Sequence, residues 1–137
     1  MRILGIDYGD ARVGVAVSDL LGLTAQGVGT VKNTGAKKLM AELLKIIEEY
    51  KPETIVIGMP KNMDGTEGES AQNARAFAEK LKELTGLPVE MQDERGTTVT
   101  AHHFLNDTNT RGKKRKNVVD EVAATIILQN YLDSRKT

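Results

Sequence analysis

Apolar positions along the chain follow two different rhythms. Ile3, Leu4 and Ile6 form a short run that reads as a first strand ending at Asp7. Tyr8-Gly9-Asp10-Ala11-Arg12 has turn chemistry, and Val13, Val15 and Val17 then alternate with small residues, so residues 2–18 read as a hairpin. A loop rich in Gly and Thr leads to a third strand around Val28–Lys32. From Ala36 to Tyr50 the period changes. Leu39, Met40, Leu43, Leu44, Ile46, Ile47 and Tyr50 recur at helical spacing, with Lys and Glu opposite, and Pro52 stops the helix. Thr54–Gly58 is an apolar, β-branched run that reads as a strand buried on both faces.

Pro60, Gly65 and Gly68 mark Met59–Gly68 as a loop. A second helix is predicted over Glu69–Thr85, with Ala74, Phe77, Leu81 and Leu84 inward and Gly86 as terminator. Leu87–Asp93 reads as a fifth strand. Thr97 or Thr98 can cap a short helix through Leu105, a basic loop follows, and Asn117 is placed to cap a last helix through about Leu132. The order βββαβαβαα combines an antiparallel meander with βαβ units, whose crossovers are right-handed. It predicts an α/β fold: one mixed five-stranded sheet with helices on both faces. Residues 1–137 are read as a single domain.

Composition removes several function classes. With no Cys, disulfide frameworks, CxxC redox sites and thiolate nucleophiles are excluded. The only two His, His102 and His103, are adjacent and would point about 100° apart on a helix, a poor zinc pair. Three Tyr, two Phe and no Trp are few rings for an extended base-stacking platform. The apolar stretch after Arg2 is broken at Asp7, so no secretory signal is read, and no window approaches the roughly 18 apolar residues of a membrane span. A cytoplasmic protein is the expectation. Lys+Arg and Asp+Glu both total 19, so net charge identifies no partner, but Arg111, Lys113, Lys114, Arg115 and Lys116 form a basic run able to hold an anion.

The chain has no GxxxxGK[ST] loop, GxGxxG turn, HExxH or GxSxG elbow. What remains is carboxylates in unusual places. Asp7 ends an apolar strand and shares a face with Ile3 and Gly5. Glu94 follows the fifth strand, at the edge where open α/β sheets place their ligands. Asp120 lies beside Ala123, Ala124, Ile127 and Tyr131 on the helical wheel, leaning toward the sheet. Each has a bland alternative: a strand-end turn, a solvated Asp-Glu-Arg turn, a first-turn helix Asp. Together they could converge, and three carboxylates suit a hard cation such as Mg²⁺ or Mn²⁺ that acts on phosphodiesters.

Four segments carry a resemblance: GIDYGDARVGVAVSD (5–19), GMPKNMDGTEG (58–68), DERGTT (93–98) and KNVVDEVAATIILQNYL (116–132). They are similar to the YqgF family, also called RuvX, whose members are described as Holliday junction resolvases or pre-16S ribosomal RNA nucleases. The resemblance spans essentially the whole chain. It implies a ribonuclease H-like fold related to the RuvC resolvases. It also implies a divalent-metal nuclease with catalytic and metal-binding residues Asp7, Glu94 and Asp120, and Asp93 as a weaker fourth. Arg12, Asn62, Arg95, Lys114 and Lys116 would face substrate phosphate, while Gly9, Gly58, Pro60 and Gly65 would shape the surrounding loops. Gly96 departs from the family pattern, which has a bulky apolar residue there; the change loosens the backbone beside Glu94.

The function this implies is phosphodiester hydrolysis at the 5′ end of pre-16S rRNA during ribosome biogenesis. A four-way DNA junction is the alternative substrate, and a resolvase of that kind would act as a homodimer. Two further readings stay open: a non-catalytic nucleic-acid-binding assembly factor, and a nucleotide clamp. GIDYG resembles the phosphate-binding hairpin of the actin, Hsp70 and sugar-kinase ATPases, but those proteins close two such domains on a nucleotide and this motif occurs once.

Overall fold

The computed structural model describes residues 2–9, 11–59, 68–93 and 113–135. Strands β1 (Ile3–Tyr8), β2 (Arg12–Ser18), β3 (Ala25–Lys32), β4 (Thr54–Met59) and β5 (Val89–Asp93) form one sheet in the order β3-β2-β1-β4-β5. The β1–β2 and β2–β3 pairs are antiparallel, whereas β4 lies parallel to both β1 and β5. Among the described residues three helices, α1 (Ala36–Tyr50), α2 (Glu69–Thr85) and α3 (Lys113–Ser134), pack on this sheet. The mixed sheet with helices on both faces is therefore present as expected.

Strand alternation sorts the core into two halves. Leu4, Ile6, Val13, Val15, Val17, Ile55 and Ile57 pack against Leu39, Met40 and Leu43 of α1 and against Phe77, Ala78 and Leu81 of α2. On the other face Ile3, Ala16 and Val56 meet Ala124, Ile127, Leu128 and Leu132 of α3. Successive side chains of a strand point to opposite faces, so a strand covered on both must be apolar at nearly every position. That explains the unbroken run in β4.

Helix α3 sits close to its face because the side chains of the sheet are small there. Gly5, Ala16 and Gly27 are cross-strand partners in one row over β1, β2 and β3. A Cβ on Gly5 would stand 2.7 Å from the Cβ of Leu128 and 3.3 Å from the carbonyl oxygen of Ala124. The row of small residues is thus a furrow that seats the helix.

Three elements start two or more residues away from the sequence expectation. Strand β3 begins at Ala25 rather than Val28, since Ala25, Gln26 and Gly27 pair with Ser18, Val17 and Ala16 through backbone alone. Strand β5 begins at Val89 rather than Leu87; Pro88 has no N–H, although its carbonyl still accepts the Ile55 amide at 2.9 Å. Helix α3 begins at Lys113, so Asn117 lies inside the helix instead of capping it, and Lys113–Lys116 is helix rather than loop. Lys and Arg are strong helix formers, and four in succession outweigh the cap preference of one Asn. The short helix expected near Thr97–Leu105 lies outside the described residues.

Candidate acidic site at the carboxyl edge of the sheet

Asp7 is the penultimate residue of β1, on the face shared by Ile3 and Gly5, which is the α3 face. Its cross-strand partner is Gly14 of β2. Gly14 in turn lies directly beneath α3: a Cβ there would overlap the main-chain carbonyl oxygen of Asp120. One glycine therefore brings together the strand that carries one carboxylate and the helix that carries the other.

Arg12 begins β2 and, by the same alternation as Gly14 and Ala16, lies on the α3 face. Its Nε donates to Oδ2 of Asp120 at 2.6 Å. The pair is partly sheltered, with side-chain exposures of 35% for Arg12 and 17% for Asp120. Burying a carboxylate to that extent costs free energy unless a cation or donors compensate, and here the guanidinium does so. Asp120 thus leans toward the sheet, beside the buried Ala123, Ala124 and Ile127. Asp7, Arg12 and Asp120 come from three elements, and the ion-paired partners are 108 positions apart in the sequence.

The turn joining β1 and β2 is held from both sides. A Cβ on Gly9 would lie 2.5 Å from the carbonyl oxygen of Arg12, so the tight approach requires glycine. Asn33, just after β3, donates from Nδ2 to the Gly9 carbonyl at 3.0 Å, and its amide donates to the Ala11 carbonyl at 2.9 Å. Tyr8 points to the opposite face and stacks on Phe77 with ring centroids 4.6 Å apart. Neither Asn33 nor this stack was apparent in the sequence, because neither belongs to a periodic pattern. Gly14 had a signal, the alternation of Val with small residues in β2.

The remaining site residues divide into two groups. Gly58 and Met59 of β4 pair with Gln92 and Asp93 of β5, so these parallel strands end on the same edge as β1. Glu94, Arg95, Asn62, Pro60, Gly65 and Gly96 lie outside the described residues. Lys114 and Lys116 are in the first turn of α3. Around the helix axis, position 116 is about 40° from position 120, whereas position 114 is about 120° away. Among the described residues no group of three or more His, Cys, Asp or Glu could hold a metal ion.

The family model described as "RuvX: Holliday junction resolvase" matches residues 1–134. The chain belongs to the RuvX family. Its relatives include a protein of Clostridium novyi (strain NT), 52% identical over 134 residues that cover 98% of this chain and 99% of the relative. A Clostridioides difficile (strain 630) protein is 52% identical over 132 residues, covering 96% and 94% respectively. Both carry the name "Putative pre-16S rRNA nuclease".

Among solved structures this RuvX chain is similar to Thermus thermophilus RuvC in complex with a Holliday junction substrate. The TM-score is 0.60 at 16% identity, over 98% of this chain and 95% of that one. The fowlpox virus Holliday junction resolvase aligns with a TM-score of 0.58 at 15% identity, over 98% and 99%. At such identities the likeness establishes the fold, which is the ribonuclease H-like fold that the family resemblance implies and with which the element order agrees. Family and relatives together establish a nuclease of the ester-hydrolysing class. No helix among the described residues is long and apolar enough to cross a membrane.

Proposed function

We propose that this RuvX protein is a divalent-metal-dependent nuclease that hydrolyses phosphodiester bonds in precursor 16S ribosomal RNA, at its 5′ end, in the cytoplasm. The observation that carries the reading is the meeting of β1 and α3 across Gly14, which sets Asp7 and Asp120 on one face at the carboxyl edge of the sheet. That edge is where open α/β sheets bind ligands.

The donor set fits a hard cation, since it consists of carboxylate oxygens without nitrogen or sulfur. The Arg12 ion pair shows that Asp120 already takes a positive partner. Asp7 and Asp120 would hold Mg²⁺ or Mn²⁺, with Glu94 completing the set. When bound, the ion supplies Lewis acidity and a hydrolytic water of lowered pKa. The protein's own part is to fix the two carboxylates on rigid elements and to receive the phosphate backbone with Arg12, Asn62, Arg95, Lys114 and Lys116.

The names of the relatives favour pre-rRNA, and the family description keeps a four-way DNA junction as the second substrate, cut by a homodimer. The match over residues 1–134 to a nuclease family weighs against the nucleotide clamp. A cleavage assay with Mg²⁺ or Mn²⁺ on labelled precursor rRNA, generic single-stranded RNA and a four-way junction separates these readings. RNA cleavage that disappears in Asp7→Asn, with the fold intact by circular dichroism, is the expected result. Paired symmetric cuts in the junction would replace RNA by DNA as substrate. Binding without any cleavage would instead make the protein an assembly factor, and cleavage by Asp7→Asn would remove Asp7 from the site.

A further inference from the structure

The Arg12–Asp120 contact has a consequence for how the acidic site is loaded. A cation entering the site meets a carboxylate that is already occupied, at 2.6 Å, by a charge-assisted hydrogen bond. Arg12 is also anchored at its backbone, where the tight Gly9 turn sets the start of β2 and the register to Lys32 of β3 fixes its neighbour. Its side chain is 35% exposed, so a route from Asp120 toward solvent is open to it.

We propose that Arg12 is the resident counter-cation of Asp120 in the metal-free protein and competes directly with a divalent ion for that carboxylate. This rests on the metal-nuclease reading above. In the metal-free state the guanidinium neutralises Asp120 and holds it beside Gly14, so the helix–strand contact survives without the ion. When the ion binds, Arg12 leaves Asp120, and its planar fork of donors is free to take a phosphate oxygen. Arg12 is therefore a positioning residue before loading, in addition to the phosphate-facing role implied by the family pattern.

The test is Mn²⁺ binding to the full-length chain, measured by isothermal titration calorimetry and by the electron paramagnetic resonance signal of free Mn²⁺. The proteins are wild type, Arg12→Gln and Arg12→Lys, each checked by circular dichroism. Arg12→Gln is expected to bind Mn²⁺ about five- to tenfold more tightly than wild type, and to melt at a lower temperature without metal. Arg12→Lys, a cation without the planar fork, is expected between the two. A purely structural role for Arg12 would loosen the site and weaken Mn²⁺ binding, so unchanged or weaker binding in both variants overturns the proposal. If Arg12→Gln does not fold, tighter binding by Arg12→Lys supports the proposal and unchanged binding overturns it. Wild type that takes up no Mn²⁺ overturns the metal-nuclease reading itself, which distinguishes that failure from this one.

Discussion

Gly14 of β2 lies against the main-chain carbonyl of Asp120, so that helix α3 rests on the sheet at the point where the strand pairs with Asp7. The distance between the two acidic elements is set by the missing side chain. The charged residues do not set it, for a carboxylate pair left to itself would push the elements apart. The fold imposes the meeting, and Arg12 relieves its electrostatic cost.

Gly14→Ala should therefore damage stability and activity together. The added methyl would strike backbone, which cannot rotate away, and overpacking of this kind costs about 1–3 kcal/mol or more. Gly27→Ala is the control, because its Cβ would meet the flexible side chain of Glu121, with Cγ at 2.6 Å. Chemical denaturation should show a loss of at least about 2 kcal/mol for Gly14→Ala and under about 1 kcal/mol for Gly27→Ala. Equal losses would mean that α3 does not approach β2 as described.

Ser18→Ala probes the far end of the same hairpin. The buried Ser18 hydroxyl accepts the Ile3 amide at 2.8 Å and donates to the Asp19 carbonyl at 3.0 Å, in place of the next rung of the β1–β2 ladder. Removing the oxygen strands a buried N–H, worth about 1–3 kcal/mol. Urea melts should resolve that change, and a loss below about 0.5 kcal/mol would mean that water or another acceptor takes over.

Much of this architecture was legible in the sequence because burial and periodicity coincide in it. The continuous run Thr54–Gly58 and the helical stripe Leu39–Tyr50 each had one satisfactory reading, and both stand in the structure. Asp120 was legible from its neighbours, since Ala123, Ala124 and Ile127 fixed which side of the helix faces the sheet. What failed was what depends on backbone pairing without a side-chain signature. The start of β3 at Ala25 is one case, and the start of α3 at Lys113 is another. The Arg12–Asp120 pair could not be read either, because no local rule links residues 108 positions apart. Glu94, the third carboxylate expected at the site, lies outside the described residues.

Asp19 gives a pH-dependent prediction in the β2–β3 turn. Its carboxylate accepts the Leu23 amide at 2.8 Å, the main cause holding its pKa below the ordinary value, and the Thr24 amide and hydroxyl add to this. A depressed folded-state pKa stabilises the fold fully above the unfolded value of about 3.9. That contribution is lost as pH falls through the lower folded value. The melting-temperature difference between wild type and Asp19→Ala should be constant from neutrality to about pH 5 and shrink below about pH 4. A difference that stays constant down to pH 2 would show that the carboxylate charge plays no part in the turn.

The basic first turn of α3 should show opposite effects on stability and binding. Cations at a helix N-terminus oppose the macrodipole, which costs about 0.3–1 kcal/mol each, so the charge of Lys113–Lys116 works against a turn that their helix propensity favours. Replacing Lys116 or Lys114 by Gln should leave the melting temperature unchanged or slightly raised. Binding to single-stranded precursor RNA should weaken, with the slope of log K against log salt falling by about 0.7 for each phosphate contact removed. Position 116 lies on the Asp120 stripe and position 114 does not, so Lys116→Gln should carry most of the slope change and lower cleavage with it. Fluorescence anisotropy over a salt series measures both slopes. Equal changes in the two variants would show that the turn attracts RNA only as diffuse charge, and an unchanged slope in both would place the RNA backbone elsewhere on the protein.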